Sequence, residues 1–254
     1  MKFKLINISF LIGIAPLVIL LFLWEFFSAG PSPHFPAPSY WYLAIHQIFN
    51  NGQLFNSLWE TIWTFIAGLL ISTILGIFLG VLIGINQVIK DWSLFLLEFF
   101  RALPPPVIIP IAILLMGYSS SMKITVIAIA TLWPILLNVI TGVSQVGVGL
   151  IDSAKSLQLS RKDMLLKVLF PAILPSCILG IRVAIPLGIV ITLLIEMLTG
   201  MVGLGGIMIA GQRNYNSAQV FGILVIVGIV GLIINLLSVL LEKSLLKNWP
   251  PKKR

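Results

Sequence analysis

Five ionisable side chains, Glu60, Glu98, Arg101, Arg182 and Glu196, lie within or at the margins of runs of apolar residues long enough to cross a bilayer. Charge at that depth is expensive, so such groups pair with one another, line a water-filled route or draw an ion along it. Glu98 and Arg101 stand three apart on one helix face, the spacing of an intrahelical ion pair, whereas Arg101 and Arg182 together would attract an anion. Pro104, Pro105, Pro106 and Pro110 follow directly, and proline removes hydrogen bonds from a helix ladder. Irregular backbone at membrane depth is tolerated where it is buried in protein or lines a cavity. Arg101, Pro104, Pro105, Arg182 and Glu196 are therefore the candidate pathway residues, with a packing kink as the alternative reading of the proline run.

Covalent chemistry finds no residues to carry it. No Gly-Lys dipeptide occurs, so there is no Walker A loop to cradle phosphates, and neither H-E-x-x-H nor G-x-S-x-G is present. His34 and His46 share one polar stretch, and the lone Cys177, set among apolar residues, reads as a small core side chain. No catalytic residue, metal site or bound cofactor is expected of this chain.

The elements that hold these side chains follow from composition. Of 254 residues 59% are hydrophobic and 9% charged, too little polar surface for a water-soluble domain. A spanning helix needs roughly 20 apolar residues, and such runs fall at about 5–29, 58–85, 94–116, 124–143, 172–198 and 220–241. The first follows Met-Lys-Phe-Lys but is long for a signal peptide's apolar region and ends in Trp24-Glu25-Phe26-Phe27 rather than a clear small-x-small cleavage site, so it reads as a retained span. One all-α membrane domain of about six helices, residues 1–254, is the expectation.

Sidedness comes from the cations. With the N-terminus inside, cytoplasmic segments carry Lys2, Lys4, Lys90, Lys155, Arg161, Lys162, Lys167, Lys243, Lys247, Lys252, Lys253 and Arg254, and outer segments only Lys123 and Arg213. That asymmetry predicts both termini in the cytoplasm and explains the net charge of +8 without nucleic acid. Residues 31–56, with Pro31, Pro33, Pro36, Pro38 and Tyr40-Trp41-Tyr42, read as an outer interfacial loop with an aromatic belt. Gly68, Gly76, Gly80 and Gly84 put small residues on one face of the second span, for packing within the chain or, alternatively, a dimer seam.

The longest polar interruption, about 145–170, joins spans four and five. Ile151, Ala154 and Leu157 recur at helical spacing, Ser160 and Asp163 fit a capping box, and Met164, Leu165, Val168 and Leu169 form an apolar stripe that Pro171 ends. This is a helix, a sharp turn and a second helix outside the bilayer. On pattern alone it is either a plain connection or a knob for a cytoplasmic partner.

Its wording carries a resemblance. Asp152 to Pro175 resembles the EAA loop of binding-protein-dependent ABC importer permeases: Ala154, Leu157, Pro171 and Pro175 match, Asp152 stands for the acid, Ser153 for an alanine and Gln158 for the usual glycine. Arg101 to Pro110, Gly180-Ile-Arg182-Val-Ala, Ile195-Glu196-Met197-Leu198, Gly203-Leu-Gly-Gly206 and the tail from Glu242 to Trp249 are similar, in order, to segments of the nitrate/sulfonate/taurine branch. The resemblance implies the type I importer permease fold, with a cytoplasmic coupling helix between spans four and five. Asp152, Ser153, Ala154, Lys155, Ser156, Leu157, Gln158, Leu159 and Ser160 would couple to an ATPase, and Arg182 and Glu196 would have structural roles. It also implies an inner-membrane location, a second permease copy, two ATPase subunits that bind ATP-Mg, and an extracytoplasmic binding protein. The cargo would be a small solute, such as nitrate, bicarbonate, taurine or a sulfonate. A self-sufficient secondary transporter or channel is the alternative, against which stands the lack of a clear internal repeat.

Overall fold

Backbone polar groups have no water to bond with inside lipid, so apolar runs of this length can cross only as helices. A computed structural model of the chain describes residues 3–28 and 34–247, and what it describes is helical almost throughout. Lys2, Pro31, Pro33, Lys252, Lys253 and Arg254 lie outside the described residues. The elements are α1 (Phe3–Phe27), α2 (Pro38–Asn50), α3 (Gln53–Ile85), α4 (Gln87–Ala102), α5 (Pro105–Met116), α6 (Ser120–Ser144), α7 (Val148–Ser156), α8 (Arg161–Asp163), a π-helical segment (Met164–Leu169), α9 (Phe170–Thr199), α10 (Leu204–Arg213) and α11 (Ser217–Leu245).

Four of these helices are long and apolar enough to cross a membrane: α3, α6, the continuous run Arg161–Thr199 and α11. A fifth candidate is the pair Phe95–Ala102 and Pro105–Met116, bent by 87°; α1 lies at the first predicted span, with a shorter apolar stretch, Ala15–Phe27, among the described residues. Contacts divide the chain into two compact units: residues up to Trp59 with Glu196–Ile229, and Glu60–Ile195 with the residues from Val230 onward.

The larger unit is organised by α3 and α6. Gly68, Gly76, Gly80 and Gly84 face Ile127, Ile135, Val139 and Val143, and a Cβ on any of the four glycines would lie 2.6–2.8 Å from the facing side chain. Between the first two pairs the hydroxyls of Thr131 and Ser72 hydrogen-bond at 2.8 Å. Each α6 partner lies 59 residues beyond its α3 residue. A constant positive offset makes the helices parallel, so the glycine stripe serves packing within the chain, as small residues do where lipid removes the hydrophobic drive.

Parallel neighbours decide what the bent pair is. The paired stretch of α3 is roughly 24 Å long at 1.5 Å per residue, so residues 86–119 must return the chain to the side from which α3 entered. Pro104 and Pro105 break the return: Leu103 and Pro104 are extended, and Pro105 opens α5 at a position where its missing N–H costs nothing. The third predicted span is therefore one broken span, not a re-entrant loop, and α5 packs against α6. α9 runs the other way: Gly142 meets Ser176, Gly180 meets Ile135 and Gly188 meets Thr131, at descending α6 positions. Ile135, Val139, Val143, Ile173, Cys177 and Ala184 are buried together there, with Cys177 in the core position that its apolar neighbours predict.

The smaller unit departs from the expected outer loop. Pro38 starts α2, a 13-residue helix that buries Trp41, Ala44 and Ile48. Trp41 stacks on Phe221 at 5.2 Å, meets Trp24 edge-on at 5.0 Å and donates its indole N–H to the Pro36 carbonyl. Of the expected aromatic belt Tyr42 is exposed but Trp41 is core, because α2 turns its apolar stripe onto α1 and α11.

Candidate functional site

In the polar interruption, α7 ends in a complete Schellman motif. The Gln158 N–H donates to the Lys155 carbonyl at 2.9 Å and the Leu159 N–H to the Ala154 carbonyl at 3.3 Å. This motif needs a left-handed residue after the cap, and Gln158 takes it at φ 52°. The tight turn that glycine would ease is thus made with a side chain present.

Ser160 then caps the next helix. Its hydroxyl accepts from the Asp163 N–H at 3.1 Å and donates to the Asp163 carboxylate at 2.7 Å. Lys167 lies 2.7 Å from the same carboxylate. The hydrogen bond from Lys167, then that from Ser160, then the lysine charge hold the Asp163 carboxyl below its ordinary value. The helix does not stop at Pro171. The ring of Pro171 crowds the Lys167 carbonyl and offers it no N–H, and the turn just before it widens into the π-segment, so one helix runs from Arg161 to Thr199.

Ala154 is buried while Leu157 and Val148 are each more than 70% exposed. The loop therefore places Ala154 against the protein and holds two large apolar side chains outward. Asp152 and Lys155 pair across one turn at 3.6 Å, both exposed, and Ser153 donates to the Gly149 carbonyl. Ser156 and Gln158 are exposed, with Leu159 half-buried.

The intramembrane charges are paired or buried. Arg101 lies 3.4 Å from Glu98, as their spacing predicts, with both side chains more than half exposed. Arg182 is 2.9 Å from Glu242 on α11. The two guanidinium groups serve separate pairs. Pro104 is exposed at the bend and Pro105 half-buried. Glu196 has no exposed surface, so within this chain it does not line an open route. It accepts the Gly205 N–H at 3.0 Å, bringing a carboxylate to the N-terminus of α10, where a negative charge is favoured. Gly203 (φ 154°) is tight against it, since a Cβ there would run into the Glu196 carboxylate.

One pair escaped sequence reasoning. Lys123, counted among the outer cations, is fully buried in the first turn of α6, 3.7 Å from Glu60. Ser120 donates to the same Glu60 oxygen. The signal was there in outline: a cation near a helix N-terminus opposes the dipole and wants a carboxylate nearby, and Glu60 was already conspicuous as a charge in a span.

The matching family model, the inner membrane component of binding-protein-dependent transport systems, covers residues 72–248, including the whole loop. The chain belongs to this family. It is 32% identical over 251 residues to the bicarbonate transport system permease protein CmpB of Synechococcus elongatus, covering 94% of this chain and 90% of that protein. It is 35% identical over 140 residues to the nitrate import permease protein NrtB of Leptolyngbya laminosa, an alignment spanning 55% of this chain and half of that protein. In fold it is similar to a chain of the MetNI methionine ABC transporter in an inward-facing conformation, with TM-score 0.64 at 21% identity, covering 75% of this chain and 95% of that one. The chain is thus a multi-pass inner-membrane permease subunit of the ABC importer family, with the type I fold, and membership implies ATPase and binding-protein partners.

Proposed function

We propose that this permease dimerises with a second copy and carries a small anion, delivered by an extracytoplasmic binding protein, powered by two ATPase subunits docked at residues 152–160. The observation that carries the coupling site is the outward Leu157 at the capped C-terminus of α7, whose inner face is anchored by Ala154. An apolar side chain held exposed on a polar loop gains free energy when a partner covers it. ATP binds and is hydrolysed in the partner, and closure of the ATPase pair moves α7. Because α7 packs on the π-segment, which leads without a break into α9, that movement reaches the spanning helices.

Anion transport is supported by the names of the relatives, bicarbonate and nitrate permeases, and by Arg101 and Arg182, exposed cations at bilayer depth that would face a route or a second copy rather than lipid. Arg101, Pro104 and Pro105 at the bend, with Arg182, are the proposed pathway elements. The excess of Lys and Arg in the loop and near both ends supports both termini in the cytoplasm.

Leu157→Glu tests the coupling site. The side chain is exposed, so insertion and fold should persist while copurifying ATPase falls at least about tenfold, the loss of one interface anchor of roughly 1.4 kcal/mol or more. Retention of wild-type amounts of ATPase would remove the loop from the interface. Transport that continues without any ATPase partner would instead favour a self-sufficient carrier.

A further inference from the structure

Two apolar cavities in the larger unit join into one groove. The first, about 540 Å³, is lined by the C-terminal ends of α3 and α6, by Ile151 of α7 and by the π-segment, and its only charged lining residue is Arg161. The second, about 350 Å³, continues along α3 from Ile85 back to Ile77 and is lined by apolar side chains alone. Ile85, Leu165 and Leu169 line both. Ile77 to Ile85 covers roughly 12 Å of helix rise, so the groove descends from the membrane surface into the hydrocarbon layer with a guanidinium at its mouth.

That guanidinium is available. Asp163 is taken by Lys167 and Asp152 by Lys155, and no carboxylate among the described residues lies within ion-pairing distance of Arg161. Lys162 adds a second exposed cation beside it. A groove at hydrocarbon depth is reached by lipid rather than by a soluble partner, and basic sites between spanning helices at the membrane surface suit anionic head groups.

We propose that this groove binds one anionic phospholipid, its phosphate on Arg161 and an acyl chain along Leu165 and Ile85, between α3 and the helix that leads out of the coupling loop. A lipid there contacts both a spanning helix and the π-segment, so its occupancy sets how freely the loop moves against the membrane.

The test is native mass spectrometry of the full-length chain in detergent, titrated with dioleoyl-phosphatidylglycerol or with dioleoyl-phosphatidylcholine. Wild type should retain one phosphatidylglycerol in preference to phosphatidylcholine. Arg161→Gln should weaken that preference about fivefold, the worth of one basic side chain near a lipid surface, and Arg161→Lys should keep it. Leu165→Trp, which fills the groove, should reduce retention of both lipids. Both positions are exposed, and unchanged thermal melts would show that the variants fold. Equal retention of both lipids by wild type, or no effect of either Arg161→Gln or Leu165→Trp, overturns the proposal. So does a change in oligomeric state with Leu165→Trp at constant lipid, which would give the groove to a second copy.

Discussion

Gln158 occupies a backbone conformation that costs a side-chain-bearing residue on the order of 1 kcal/mol, and it does so in a motif whose two hydrogen bonds are both formed. Gln158→Gly should therefore stabilise the loop by about 1 kcal/mol, read as slower amide exchange at Gln158 and Leu159 with the rest of the chain unchanged. Glu196 illustrates how far a single residue could be read. Its place in an apolar run marked it as a charge in need of a partner, but whether it faced water or backbone depended on Gly203 and Gly205, residues whose meaning lies in a turn rather than in a period. Lys123 stayed at the end of α6 where the cation count put it, but its pairing was missed for a related reason: counting cations by side treats each as solvated, whereas Lys123 is buried 3.7 Å from a Glu60 carboxylate that also accepts from Ser120. The capping box at Ser160 and the Glu98–Arg101 pair were legible because both are local, set by spacings of three residues.

At the scale of elements, helices were readable wherever an apolar period ran long. What was only partly readable was continuity at proline: Pro171 looked like an end and is absorbed by a π-turn, while Pro104 and Pro105, read as a break in the ladder with a packing kink as the alternative, turn the chain by 87°. The neighbouring residues make the difference. Pro171 sits in the first turn of α9, where the preceding turn can widen, whereas consecutive prolines at 104–106 leave no N–H to continue the ladder. The α3–α6 seam gives a direct test of packing. Gly80→Ala should destabilise the permease by about 1–3 kcal/mol through overpacking, seen as a lower melting temperature, and Val139→Ala should cost less in that background than in the wild-type chain. Equal costs of Val139→Ala in both backgrounds would mean that the two helices do not meet at this rung.

For the whole molecule, the parallel seam predicts which side of the membrane each turn faces. With Cys177 replaced by serine, a cysteine at Asn86 and one at Ser119 should react with a membrane-impermeant maleimide from opposite faces of sealed vesicles. Labelling from the same face would make α4 and α5 a re-entrant loop and reduce the crossing count by one. Composition and charge were enough to establish a multi-pass membrane chain, and the ordered motifs its family, because neither depends on tertiary contact. Which helices lie side by side required the structure.

The 59-residue spacing between α3 and its partner also has a temporal side. When α3 leaves the ribosome its glycine face has nothing to pack on, and the β-branched residues it needs have yet to be made. At about 5–20 residues per second that interval lasts roughly 3–12 s. Over that time Ser72 lies in the bilayer without Thr131, so the nascent chain needs either a temporary shelter for that face or a lipid to occupy it, and any pause in translation between Ile85 and Ser120 lengthens the exposure.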